Sequence, residues 1–149
     1  MPVMGAMKFE RLFRTAAGLR IDKNDVKRYD DFINRKIYDL FLIAQAAARA
    51  DGRDIVEPWD LPIGKGLQEC IRAFREIDEE IELQPLLDRL TAEPAVDLAA
   101  SEQTRARLPQ IAGGLSVALA RLFRVLEPER HNPGPAQWEK AGEIIDLFL

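Results

Sequence analysis

Shifted by 79 residues against itself, the sequence brings its two halves into register, and this internal match limits the possible fold more than any other feature. Leu19 falls on Leu98, Asp22 on Ser101, Arg28 on Arg107 and Phe32 on Ile111. The break at Gly52 falls on His131, Trp59 on Trp138 and Asp60 on Glu139, and these are the only two tryptophans in the chain. Each half reads short helix, loop, long helix, loop, helix. The pseudo-repeats run over approximately 7–80 and 81–149, and the 149 residues fit one compact domain with a core of its own.

The helices come from apolar periodicity. Phe9, Leu12, Phe13, Ala16 and Ala17 recur at three- and four-residue spacing, and Gly18 follows as a C-cap. Leu19–Ile21 is a short extended link. Asp22 is a suitable N-cap for a second helix, with Asp25 adding negative charge to the first turn. From there Val26, Tyr29, Ile33, Ile37, Leu40, Phe41, Ala44 and Ala48 keep helical period, and no Gly or Pro intervenes until Gly52. That predicts a helix of about 28 residues, roughly 42 Å long. Phe32 and Leu42 lie off its main stripe, so contacts are expected on more than one side. A third helix carries Leu67, Ile71, Phe74, Ile77 and Ile81. A second long one starts after Ser101 and carries Leu108, Ile111, Leu115, Leu119, Leu122, Phe123 and Leu126. Gly113-Gly114 within it costs about 1 kcal/mol per glycine in helix propensity and marks a close backbone approach. A Pro- and Gly-rich loop over 128–135 leads to a last helix with Trp138, Ala141, Ile144 and Ile145. No segment alternates in the manner of a strand, so the fold class is all-α, with the helices near 22–51 and 101–127 crossing.

Composition excludes several classes. No apolar run approaches the roughly 18 residues of a membrane span, and 1–8 has no secretory h-region, so the expected location is cytoplasmic. The single Cys70 cannot form an internal disulfide and reads as a buried thiol among Leu67, Ile71 and Phe74. The net charge is −4. It is uneven: residues 1–75 carry 14 Lys/Arg against 11 Asp/Glu, whereas 76–149 carry 7 against 14. No enzyme chemistry is legible. The one histidine, His131, rules out a pair of Glu-x-x-His motifs and so a di-iron bundle. Asp78, Glu79, Glu80 and Glu82 fall around a helix without converging. Gly64-Lys65-Gly66 lacks the upstream glycine and the Ser/Thr of a phosphate loop. No cofactor, metal or small-molecule substrate is expected.

The run Ala50-Asp51-Gly52-Arg53-Asp54-Ile55-Val56-Glu57-Pro58-Trp59-Asp60-Leu61 resembles the end of the long helix in archaeal and eukaryotic histone-fold proteins. There a Gly-Arg pair is followed by an extended loop and an acidic residue before an apolar one. The whole chain, through Phe9–Arg14 and Glu57–Pro62, is similar to a family of uncharacterised bacterial and archaeal proteins built as histone-fold pseudodimers. That resemblance implies two tandem histone folds forming an intramolecular handshake, since one histone fold cannot bury its long helix alone. It also implies an ion pair between Arg53 and Asp60 that clamps the loop, and an arginine can hold a carboxylate bidentately. The second half departs from the pattern. It has His131-Asn132 where the Gly-Arg pair would stand, leaving Glu139 with Arg130 as a substitute pair.

Two functions compete. The first is a non-enzymatic histone-fold module with an architectural or protein-interaction role, whose partner is another protein or a second copy. The alternative is weak, sequence-nonspecific DNA binding through Lys8, Arg11 and Arg14 on the first helix, Arg20 and Lys23 at the first loop, and Arg49 beside the second. The second-half loops that would face them are poor in basic residues.

Overall fold

The structure, a computed structural model, describes residues 3–91 and 94–149, with the side chains of 3–6, 23, 89 and 90 outside the description. Among the described residues it is all-helical apart from one pair of two-residue strands. The order is α1 (Val3–Ala17), α2 (Lys23–Ala50), β1 (Ile55–Val56), a 3-10 turn (Pro58–Asp60), α3 (Lys65–Ile81), α4 (Gln84–Leu90), β2 (Ala99–Ala100), α5 (Glu102–Leu126) and α6 (Pro135–Phe148).

The long helices start where capping chemistry places them. Asp22 accepts from the Asp25 N–H at 3.0 Å while the Asp25 carboxylate accepts from the Asp22 N–H at 2.9 Å, a reciprocal capping box. Ser101 caps α5 through the Thr104 N–H at 3.2 Å. The two starts are one repeat apart. At the other end of α1, Gly18 turns the chain at a φ of 67°, a left-handed conformation that glycine adopts without Cβ strain. Gly52 does the same after α2 at 72°.

One core joins both halves. Phe9, Phe13 and Tyr29 pack as an aromatic group, with ring centroids 4.8 and 5.7 Å from Tyr29. The Tyr29 hydroxyl meets the Ser116 hydroxyl of α5 at 2.6 Å in the interior. Each fully buried side chain of this kind contributes roughly 1.5–3 kcal/mol relative to an exposed one. Gly113 and Gly114 let α3 settle onto α5. A Cβ at Gly113 would overlap the buried Phe74 ring, and one at Gly114 would overlap Ile71 Cγ1 and lie 3.1 Å from the Ile71 backbone nitrogen. The glycines therefore occupy the close approach that their pairing predicts. Phe32 is buried as expected of a helix contacted on several sides, whereas Leu42 is exposed.

The ends of α2 and α5 are tied across the halves. β1 pairs in parallel with β2, Ile55 against Ala99 and Val56 against Ala100. The Ser101 N–H continues this pairing to the Val56 carbonyl at 3.0 Å, and the Thr104 hydroxyl reaches the same oxygen at 2.8 Å. At the opposite end, the Arg20 N–H donates to the His131 carbonyl at 2.7 Å.

The repeat fails at the tryptophans. Trp59 lies in the 3-10 turn and is 70% exposed, whereas Trp138 lies inside α6 and is 8% exposed. Pro135 starts α6 directly after its loop, so the second half has no counterpart of the separate 3-10 turn, and its tryptophan goes inward. There it packs edge-on against Phe123 at 5.0 Å and donates from Nε1 to Asp25 at 2.9 Å. Burial raises the Asp25 carboxyl above its ordinary value, and the bonds from the Asp22 backbone and Trp138 only partly offset it.

Candidate functional site

The loop after α2 is fixed by charge. Arg53 donates to both carboxylate oxygens of Asp60, from Nη1 at 2.8 Å and Nη2 at 2.6 Å. Asp60 also accepts from the Glu57 N–H at 2.8 Å, and Arg53 donates from Nε to Asp51 at 2.9 Å. The bond from Arg53 holds the Asp60 carboxyl below the usual aspartate range, against the opposing effect of burial. The guanidinium also lies 5.6 Å from the Trp59 ring centroid. The resemblance-based pairing of Arg53 with Asp60 therefore occurs as a bidentate contact. The substitute pair in the second half does not form. Arg130 donates to the Asn132 carbonyl at 2.6 Å and lies 4.0 Å from Glu127, while Glu139 is exposed.

Four of the six basic residues named for DNA are engaged by other groups of this chain. Arg49 pairs with Asp97 at 3.0 Å, Arg14 with Glu10 at 2.6 Å and Arg11 with Glu80 at 3.8 Å. Lys8 donates to the Glu82 carbonyl at 3.3 Å. Arg20 is exposed and shares a shallow cleft with Arg14, His131 and Asn132. The Lys23 side chain lies outside the described residues. The acids that occupy Arg49 and Arg11 come from distant parts of the chain, 48 and 69 residues away, which no local pattern reveals.

Cys70 is buried, as its apolar neighbours in the sequence imply, and burial pushes its thiol up. His131 is an exposed loop residue. Asp78 is not simply a solvated acid: its carboxylate accepts from the Leu83 and Gln84 N–H groups where the chain turns from α3 into α4. Among the described residues no helix is long and apolar enough to cross a membrane.

The most distinctive concavity lies beside the clamp, between the 3-10 turn, α3 and the first turns of α5. It encloses about 450 Å³. Arg72 and Arg75 reach it from α3 and Arg107 from α5, with exposed Trp59 on its wall. Ile71 and Ile111 supply apolar surface. Arg75 donates to the side-chain Oε1 of Gln110, at 3.2 Å from Nε and 2.7 Å from Nη2. Among the described residues no Asp or Glu lines the groove. No sequence pattern singles out these arginines, because they converge only when α3 lies across α5. Under the repeat, the equivalent surface of the other half holds Arg28, Arg35 and Trp138, but Asp31 replaces Gln110 and Glu139 lines it too.

Solved structures share this architecture over almost the whole chain. A Thermus thermophilus protein superposes with a TM-score of 0.84 at 48% identity, covering 96% of this chain and 97% of the other. An Aquifex aeolicus protein superposes with the same TM-score at 25% identity, covering 97% and 95%. In sequence, an uncharacterized protein of Aquifex aeolicus (strain VF5) is 27% identical over 142 residues, which is 95% of this chain and 82% of the relative. The family model that matches, over residues 9–146, is described as a domain of unknown function, and the chain belongs to that family, DUF1931.

Proposed function

We propose that the chain is a pair of histone folds joined in one polypeptide as an intramolecular handshake, and that it works as a non-enzymatic architectural or protein-interaction module. The observation that carries the architectural part is the double tie between the long helices. The loop after α2 pairs with the segment before α5, and the link before α2 bonds to the loop after α5. Opposite loops meet at both ends, as a handshake requires. The Arg53–Asp60 clamp supports the same reading.

The interaction role is favoured by how the charge is used. Arg11, Arg14 and Arg49 are already paired with acids of this chain, so a duplex has to displace those acids before it gains a phosphate contact. Leu147 and Phe148 at the end of α6 are 78% and 81% exposed, apolar surface suited to a protein partner.

Two measurements test this. If the halves are expressed together as separate chains cut between α3 and α4, they copurify as a one-to-one complex. Neither half alone unfolds cooperatively, because each long helix is covered by the other half. Independent, stably folded halves would overturn the handshake. For the role, the full chain gives no shift of duplex DNA at low salt and micromolar concentration. The alternative, weak nonspecific DNA binding, rests on the exposed Arg20 beside His131. It expects a salt-sensitive shift whose slope falls by up to about three contacts in an Arg20→Ala/Lys23→Ala/Arg49→Ala variant, without change in base preference.

A further inference from the structure

We propose that the groove between the 3-10 turn, α3 and α5 binds a small organic polyanion: two or more phosphate or carboxylate groups carried on a flat or apolar body. This goes beyond the histone-fold reading and does not depend on it.

Charge supplies the first reason. Arg72, Arg75 and Arg107 share one concavity, and among the described residues none of them makes an ion pair. Elsewhere among the described residues Arg11, Arg14, Arg28, Arg35, Arg49 and Arg53 each pair with a carboxylate. Three guanidiniums together repel one another, and a bound polyanion relieves that repulsion. Each guanidinium offers paired N–H donors that match a carboxylate or phosphate edge.

Preorganisation is the second. Gln110 accepts two bonds from Arg75 and fixes its plane without cancelling its charge. A carboxylate there would fix the plane and neutralise it, and that is what the related surface on the other half offers with Asp31. That surface serves as an internal control. It has the same fold environment and its own arginines, but Arg28 lies 3.7 Å from Asp25 and Arg35 lies 3.5 Å from Asp146. Its tryptophan is turned into the core, whereas Trp59 stands exposed on the wall of the first groove.

Size and lining decide the ligand class. About 450 Å³ is the volume of a small-molecule pocket, and a duplex does not enter it. The floor formed by Ile71 and Ile111 takes an apolar or planar body, Trp59 can stack on it, and the arginines take its anionic groups.

The test uses the full chain at low salt with three probes: ADP, which has phosphates on a planar base; pyrophosphate, phosphates alone; and citrate, carboxylates alone. Binding is read by calorimetry and by the change in tryptophan emission, which a Trp59→Phe variant loses if Trp59 reports it. At least one probe is expected to bind with a Kd below about 1 mM. ADP is to bind more tightly than pyrophosphate if the indole contributes. Citrate matching or exceeding the phosphates assigns the ligand to the polycarboxylates instead. Arg72→Ala/Arg107→Ala, both at exposed positions, raises the Kd at least about tenfold. Gln110→Glu alone also weakens binding at least about tenfold, by placing a carboxylate against Arg75, and keeps the test decisive if the double variant misfolds. Arg28→Ala/Arg35→Ala leaves the affinity unchanged. The proposal is overturned if no probe binds with a Kd below about 1 mM, or if Arg72→Ala/Arg107→Ala or Gln110→Glu binds as the wild type does. A loss of affinity in Arg28→Ala/Arg35→Ala equal to that in the groove variants overturns it as well.

Discussion

A valine at Gly113 or Gly114 lowers the stability of the chain by about 3 kcal/mol or more in urea unfolding, the largest effect expected from a single substitution here. A Cβ at either position already overlaps a neighbouring side chain. At Gly113 it meets the Phe74 ring, itself fully buried, and at Gly114 it meets the Ile71 side chain and backbone. Relief requires α3 to lift from α5. Gly113→Ala is milder but carries the same sign, and its cost shrinks in a Phe74→Ala background, where the ring is gone; that non-additivity identifies the contact. Gly66, in the first turn of α3, has open space around the position of a Cβ, so Gly66→Ala is neutral or stabilises by up to about 1 kcal/mol. If Gly113→Val and Gly66→Ala have equal effects, the close approach of α3 and α5 is not what these glycines serve.

Asp60→Ala destabilises by about 2–3 kcal/mol, because it removes both bonds that Arg53 makes to Asp60 and leaves the Glu57 N–H without its acceptor. Arg53→Ala acts in the same direction by leaving the buried Asp60 carboxylate without its counter-charge. The two losses are strongly non-additive in a double-mutant cycle. Losses below about 0.5 kcal/mol for both variants would show that the loop does not depend on the clamp. The pair also sets an acid dependence. Asp60 and Asp146 have depressed folded-state values, the latter through its bond to Lys36. Their stabilisation is complete above the ordinary aspartate range and is lost as pH falls through those depressed values. Asp25 works the opposite way. Its folded value is raised by burial, so protonation favours the folded state as pH falls through it. Asp25→Asn therefore steepens the loss of stability in acid.

Local signals carry the fold a long way. Asp22 and Ser101 mark the starts of α2 and α5 one repeat apart, because N-capping is decided by a residue and its next three neighbours. Gly113 and Gly114 announce the tight crossing through their missing side chains. What stays hidden depends on contacts between distant segments. Lys36 reads as a surface lysine, yet it is 1% exposed and bonds Asp146 at 2.6 Å. Its spacing of three from Ile33 and four from Leu40 fits the buried stripe, and Asp39 pairs with it locally at 3.2 Å; Asp146, 110 residues on, has no local sign. The tryptophans mislead for a related reason. Their alignment is correct in the sequence, but Pro135 begins α6 before Trp138 whereas Trp59 stays in a separate turn. The Arg72–Arg75–Arg107 convergence is invisible in the sequence because two of those residues are on one helix and the third is on another.

The ties between the halves also govern how the chain folds as it is made. The cap of α2 includes Asp25, which is bonded by Trp138, 113 residues later, and the link before α2 is bonded to His131. The first half thus emerges with the apolar face of α2 lacking its covering helix. At ordinary rates of synthesis, roughly 4–15 s separate the completion of α2 from that of α5. Throughout that interval the side of α2 that meets α5 lacks its partner, and the Tyr29 hydroxyl lacks Ser116. A slower translating ribosome lengthens the exposure, and long-range closure then completes the core in one late step.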